Sequence, residues 1–290
     1  MKNGKLIVVA LLVLATALSL VACSSSSTAT PAPTPAPAPT PAEPKTRVDD
    51  ILAAGKLKVG TSLDYPPFEF WAEIDGVATP SGIDILIGQR IAEKMGVEFD
   101  LIDMAFDGLL IGLDEDKFDL VLAGMSATDE RKRAVDFTVD TVHSTNMVVI
   151  RKEDDALYNT GADFTGKMVG SQSGSIYTDV ALTMNPDVRV RELVGFVDLI
   201  IELQAKKLDA VVANYMTATA YVSGNDDLIV KDVGIEYDSP GQAAAVKKGQ
   251  PEFVEYLNVI ITEMKADGSL DKFIADSVAL ANAHGLEMDD

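Results

Sequence analysis

Arg131 and the run Ser173-Gly174-Ser175 are the positions whose side-chain types point most directly to chemistry. Arg131 follows Thr128, Asp129 and Glu130, a helix-start pattern with a hydroxyl N-cap and acids in the first turn. Its planar guanidinium can grip a carboxylate through two parallel hydrogen bonds, or it can pair with those neighbouring acids on the surface. Ser173-Gly174-Ser175 lies between a strand-like and a helix-like segment, where small residues let backbone N–H groups approach an anion and Ser175 adds a hydroxyl. The same residues would serve an ordinary helix cap equally well. A hydrolase reading of Gly170-Ser171-Gln172-Ser173-Gly174 fails, because a glutamine stands where the nucleophile would be. Cys23 is the single cysteine, and His143 and His284 are the two histidines, so an intramolecular disulfide, a thiolate metal cluster and a His-rich metal site are excluded. The net charge of −21 comes with no concentrated basic patch, which excludes nucleic acid as a partner.

The elements that must position these residues alternate along the chain. Residues 57–61, 98–102, 118–123, 147–150, 168–170 and 208–213 are short apolar runs that read as strands. Helical spacing fills 83–95, with Gly96 as a stop, and also 174–183, 197–206, 252–266 and 270–281. Buried strands alternating with helices give an α/β chain with mainly parallel sheets. There is also an internal echo. Residues 117–123 (KFDLVLA) recur as 207–213 (KLDAVVA), and Val59-Gly60-Thr61-Ser62 pairs with Val169-Gly170-Ser171-Gln172. Together the echoes point to two lobes of related build, with polar groups after each strand at the carboxyl ends of the sheets, where open α/β sheets bind ligands.

The N-terminus reads as processing and tethering sequence. Lys2 and Lys5 precede an apolar stretch that ends in Leu20-Val21-Ala22-Cys23, which resembles a bacterial lipoprotein signal with Cys23 as the lipidated residue. Seven of the thirteen prolines then fall between Pro31 and Pro44 in a Ser/Thr/Ala/Pro tract without apolar periodicity. Extended, such a tether would hold a domain up to roughly 60 Å from a membrane.

Five motifs carry a resemblance. Asp64-Tyr65-Pro66-Pro67-Phe68-Glu69, Gly82-Ile83-Asp84-Ile85, Phe106-Asp107-Gly108-Leu109, Gly124-Met125-Ser126-Ala127-Thr128-Asp129-Glu130-Arg131 and Val135-Asp136-Phe137-Thr138 resemble the family 3 solute-binding proteins. These are the polar amino-acid-binding components of ABC importers. The resemblance implies a type II periplasmic-binding fold of two α/β lobes joined by a two-crossing hinge. It divides the chain into a signal peptide (1–22), a lipidated cysteine and tether (23–45), lobe 1 (46–140 with 243–290) and lobe 2 (146–237). The hinge crossings would fall near 141–145 and 238–242.

By the same resemblance, Arg131 grips a ligand carboxylate, while Tyr65 and Phe106 pack against the two faces of the ligand. Gly124 and Ser126 offer oxygens to an α-ammonium. Ser62, Met125, Gln172, Ser173, Gly174, Ser175 and Asn214 complete the expected ligand-binding set. Asp84 and Asp209 are expected to hold backbone together, and Phe68 and Trp71 to lie in the core. No cofactor and no metal are implied. The implied partners are a small carboxylate-bearing ligand and a membrane permease, with the protein a monomer, extracytoplasmic and touching the membrane through its lipid alone.

Three departures qualify this. Asn214 stands where the family usually places an aspartate that neutralises the α-ammonium, and an amide adds no charge. Leu86 replaces a usual acid, and 141–145 lacks the family's aromatic pair. With Ser62, Gln172 and Asn214 all neutral, a ligand with an uncharged side chain is expected, unless the Asp64 carboxylate turns inward to serve a cation. Two further readings stand beside amino-acid capture: an organic acid without an ammonium group, and a ligand sensor that does not transport. An enzyme like the cyclohexadienyl dehydratases, which resemble this family, would need a cleft carboxyl as general acid, and Ser62, Ser126, Gln172, Ser175 and Asn214 supply none.

Overall fold

Residues 45–283 are described by a computed structural model of the chain. The expected signal peptide, Cys23 and the proline-rich tether lie outside these residues. The described chain opens with α1 (Arg47–Ala54), where Thr46 Oγ1 accepts the Asp49 N–H and the Asp49 carboxylate accepts the Thr46 N–H in return. Strand β1 (Lys56–Thr61) leads to a small antiparallel sheet of β2 (Asp64–Tyr65), β3 (Glu69–Ile74) and β4 (Val77–Ser81). Helix α2 (Ile83–Met95) buries Ile83, Ile87, Ile91 and Met95 along one stripe and stops at Gly96, whose φ of 69° is left-handed.

The rest of lobe 1 comprises β5 (Glu98–Asp103), α3 (Leu109–Asp114), β6 (Leu120–Val121), α4 (Arg131–Ala134) and β7 (Val135–Phe137). The chain then builds a second lobe from β8 (Asn146–Arg151), β9 (Met168–Gln172), α5 (Tyr177–Met184), β10 (Arg189–Leu193), α6 (Phe196–Gln204), β11 (Ala210–Asn214), α7 (Tyr215–Ser223) and β12 (Leu228–Lys231). It returns to the first sheet as β13 (Ala245–Lys247) and ends with α8 (Pro251–Ala266) and α9 (Ser269–Ala283). The two five-stranded sheets have the orders β5-β1-β6-β13-β7 and β10-β9-β11-β8-β12. In each, the fourth strand in that order is antiparallel to both neighbours, because β13 and β8 are the strands that arrive from the other lobe.

The internal echo has a physical cause in these sheets. Strands β6 and β11 occupy the same central place, beside β1 and β9 respectively. Asp119, just before β6, accepts the Lys58 N–H at 2.7 Å and returns its own N–H to Lys58 O at 2.8 Å. Asp209, just before β11, does the same with Met168, at 2.8 and 2.7 Å. Gly60 and Gly170 also correspond. A Cβ on the first would lie 2.7 Å from the Phe118 ring, and on the second 2.7 Å from Leu208 Cδ1, so each glycine lets a large neighbour seal the sheet.

Two expectations need correcting. Regular strand geometry in 118–123 is confined to Leu120–Val121, although the run stays buried and Leu122 N–H still reaches Gly60 O. Trp71 is half exposed while Phe70 and Ala72 on either side are buried; strand alternation decides its direction, and aromatic character does not. Between the lobes the two crossings run side by side, with Thr141 N–H bonded to Gln242 O and Gln242 N–H to Val142 O.

Candidate functional site

The carboxyl ends of β1, β6, β9 and β11 meet between the lobes, each bringing candidate residues. Arg131 begins α4, directly after Glu130, so the acids expected in the first turn precede the helix; the Arg131 N–H is nevertheless accepted by Thr128 Oγ1 at 3.2 Å. Its Nη1 donates to Ser126 O at 2.8 Å and its Nη2 crosses to lobe 2, donating to Gly174 O at 2.9 Å. The guanidinium carbon stands 5.4 Å from the centre of the Phe106 ring, a cation–π contact. Among the described residues no carboxylate forms an ion pair with Arg131; Asp129 pairs with Lys132 instead. Burial lowers the guanidinium pKa to about 10, which leaves it charged at neutral pH.

Opposite lies a hydroxyl and amide cluster. Asn214 caps α7, its Oδ1 accepting the Thr217 N–H at 2.9 Å, while its Nδ2 donates to Tyr65 Oη at 2.8 Å. Its backbone N–H goes to Tyr177 Oη at 3.0 Å, and the two phenol oxygens are 2.5 Å apart. The Phe196 ring meets Tyr65 of the other lobe edge-on, with centroids 5.4 Å apart, and stacks on Tyr221 at 4.9 Å.

Asp64 does turn inward. Its carboxylate accepts from Ser62 Oγ at 3.1 Å, from Gln172 Nε2 at 3.2 Å and from the Phe196 N–H at 2.8 Å, while Tyr221 Oη donates to its backbone carbonyl. Desolvation by burial pushes its pKa up despite these donors. This is the inward turn allowed for at Asp64; the carboxyl is already held by three donors and is not among the residues bordering the cavity, none of which carries a carboxyl group.

The lobes enclose a cavity of about 20 Å³ bordered by Tyr65, Phe106, Gly124, Ser126, Arg131, Gln172 and Ser175 from the expected set, together with Ala123, Ile176 and Tyr177. That is room for about one water and far too little for an amino acid, so an amino acid enters only if these contacts part. The other expected residues are placed as follows. Ser62 and Asn214 are buried behind the cavity wall, on Asp64 and on Tyr65. Met125 packs into the lobe 1 core with Leu109 and Phe118. The Ser173 and Ser175 N–H groups are spent on Leu193 O and Gln172 O, and Ser175 Oγ also donates to Gln172 O, so the anion cradle read from this turn does not form from them. Gly174, with φ +72°, sits where a Cβ would come within 2.9 Å of Asp107 Cβ in lobe 1. Asp84 accepts the Gly124 N–H at 2.7 Å and Asp209 holds β9, both backbone roles as expected.

Sequence reasoning missed Tyr177 and Phe196. Each opens a helix of lobe 2 shortly after a glycine, which was the available signal. No group of three or more His, Cys, Asp or Glu side chains among the described residues is arranged to hold a metal ion.

Residues 57–276 match the profile of the bacterial extracellular solute-binding proteins, family 3. The chain belongs to that family. It is 33% identical over 222 residues to the arginine-binding extracellular protein ArtP of Bacillus subtilis, covering 75% of this chain and 84% of that one. A probable histidine-binding protein of Campylobacter jejuni is 32% identical over 218 residues, covering 75% and 83%. Among solved structures, an amino acid ABC transporter substrate-binding protein from Streptococcus pneumoniae bound to L-arginine superposes with a TM-score of 0.78 at 30% identity, over 81% of this chain and 98% of that one. An ancestral amino-acid-binding protein, described as a precursor of cyclohexadienyl dehydratase, gives 0.74 at 27% identity over 80% and 100%. The type II periplasmic-binding fold of two α/β lobes and a two-crossing hinge is thus the family's architecture. No described helix is long and apolar enough to cross a membrane.

Proposed function

We propose that this family member captures an amino acid outside the cytoplasm and delivers it to an ABC permease, the ligand's carboxylate meeting Arg131. The observation that carries the reading is the Arg131 guanidinium, held between the lobes by two carbonyls and facing no carboxylate. Two carbonyl contacts leave its charge uncompensated, and a carboxylate is the group that satisfies it bidentately. Phe106 and Tyr65 would flank the ligand, with Gly124, Ser126 and Gln172 on the remaining walls. Lobe boundaries at 46–140 with 243–290 and at 146–237, with crossings near 141–145 and 238–242, belong to the same proposal.

An uncharged side chain fits best. Arg131 is the single charged group bordering the cavity, so a second cation there would lack a partner and carry a desolvation cost of several kcal/mol. A cationic side chain is the second reading, supported by the inward Asp64 carboxylate behind Gln172 and by the arginine-binding relatives. A thermal-shift screen of neutral, basic and acidic amino acids separates them, because a ligand that binds the native state raises the melting temperature. A shift with arginine or lysine and none with neutral amino acids would transfer the proposal to the second reading; no shift with any would end it.

Lipidation at Cys23 and tethering through the proline-rich tract complete the proposal and would place a monomeric binding domain beside its permease. Cys23→Ala should leave the binding domain folded and abolish its detergent-dependent membrane fractionation. Recovery of the variant in the membrane with the same acyl mass would remove the anchor.

A further inference from the structure

Glu69 opens β3 and is fully buried, yet neither of its carboxyl oxygens meets a hydrogen-bond donor among the described residues. The charges that face it are those of Asp84 on α2, Asp64 on β2 and Asp103 at the end of β5, and all three are acids. A buried carboxylate with neither donors nor a cation costs several kcal/mol and takes up a proton instead. Burial and those neighbouring acids raise the Glu69 pKa well above the usual carboxylate range, while burial raises that of Asp84 to about 7. A proton shared by the two therefore resides on Glu69. The Thr61 hydroxyl, also buried without a partner, would fill a lone pair here but brings no charge.

Where that proton points is set by two chain segments running side by side. Ile83 N–H donates to Pro67 O at 3.0 Å and Asp84 N–H to Phe68 O at 2.9 Å, which brings 67–69 against 82–84. Gly82 permits the approach, since a Cβ there would lie 2.2 Å from Phe68 O. Asp84 is buried in its turn; its Oδ2 accepts the Gly124 N–H at 2.7 Å and its Oδ1 has no partner. Gly124 borders the same cavity as Arg131.

We propose that Glu69 is a protonated positioning residue: its carboxyl O–H donates to Asp84 Oδ1, and Asp84, kept anionic by that bond, holds the Gly124 turn at the cavity wall. The pairing gives Asp84 Oδ1 its donor and leaves only lone pairs of Glu69 unused, which costs less than an unmade donor or a bare charge. Its bearing on ligand capture rests on reading the cavity as the amino-acid site. Glu69→Gln keeps an N–H donor for Asp84 in a side chain of the same shape. Glu69→Met removes the donor, so that Asp84 loses its partner at Oδ1, takes up the proton itself and accepts from Gly124 less strongly.

Carbon-13 NMR of the side-chain carboxyls tests the protonation. The resonance that disappears in Glu69→Gln should keep the position of a protonated carboxyl at neutral pH, where an ordinary glutamate is ionised. Finding it at the ionised position would overturn the inference. Amide hydrogen exchange tests the positioning: Gly124 N–H should exchange about as slowly in Glu69→Gln as in the unaltered protein, and about fivefold faster or more in Glu69→Met. Equal exchange in all three would also overturn the inference, because Glu69 would then have no hold on Gly124. Should Glu69→Met fail to fold, the carboxyl resonance and the Glu69→Gln exchange still decide. Neither measurement uses a ligand, so failure of the amino-acid reading in the thermal-shift screen is told apart from failure of this inference.

Discussion

A guanidinium bonded to two backbone carbonyls is oriented without being neutralised, and this makes Arg131 the most consequential single side chain of the cleft. Thr128 fixes where it leaves the helix, Phe106 gives it a face to lie over, and Ser126 O and Gly174 O set its plane. The lobe 1 contacts to Thr128, Ser126 O and Phe106 position it before any carboxylate arrives, which lowers the ordering cost of binding. Arg131→Ala should weaken amino-acid binding by at least about tenfold, and Arg131→Lys should recover part of that, since an ammonium keeps the charge and loses the fork. Calorimetry showing unchanged affinity for Arg131→Ala would place the carboxylate elsewhere. The same variant also removes the bond to Gly174 O across the lobes, so Arg131→Lys separates charge from lobe contact.

At the scale of elements, the sequence was legible wherever periodicity and local chemistry agreed. Helix α2 occupies the expected 83–95, and the stop at Gly96 follows from its left-handed backbone. The echo of 117–123 in 207–213 identified equivalent central strands, and the Asp119 and Asp209 ties show why that motif repeats. What escaped was whatever depends on the partner lobe. Nothing local to Asp64 says that its carboxylate will meet the Phe196 N–H, 132 residues away, and nothing near Tyr177 says that it will touch Tyr65. At Asn214 the sequence shows an amide but not which side of it is free; its capping of α7 leaves the amide N–H side facing Tyr65. The repeat also yields a test. Gly60→Ala drives a methyl into the rigid, buried Phe118 ring, whereas Gly170→Ala meets the movable ends of Leu208 and Leu199. Overpacking costs about 1–3 kcal/mol, so urea denaturation should show Gly60→Ala losing clearly more stability than Gly170→Ala. Equal losses would mean that the leucines are held as rigidly as the ring.

For the whole molecule the decisive quantity is the balance between open and closed lobes. Helix α6 begins after Gly195, which has no side chain to cap it, and Asp64 of lobe 1 supplies the missing carboxylate at the Phe196 N–H. A lobe 2 helix is therefore capped from lobe 1 only while the lobes are closed. Losing a cap of this kind costs about 0.5–2 kcal/mol, so Asp64→Ala should lower the closed-to-open ratio by about two- to thirtyfold. Small-angle scattering of the protein without added amino acid should then give a larger radius of gyration for Asp64→Ala. Closing also buries the carboxylate, and burial raises its pKa, so the closed form binds a proton more tightly than the open one. By linkage, closure is most favoured below the ordinary aspartate range and loses that advantage as the pH rises through the raised value. The unaltered protein should therefore contract on acidification across that interval, while Asp64→Asn, which has no proton to gain, should not respond. A radius of gyration that ignores both substitution and pH would show that the Tyr65, Tyr177 and Arg131 contacts hold the lobes together without Asp64.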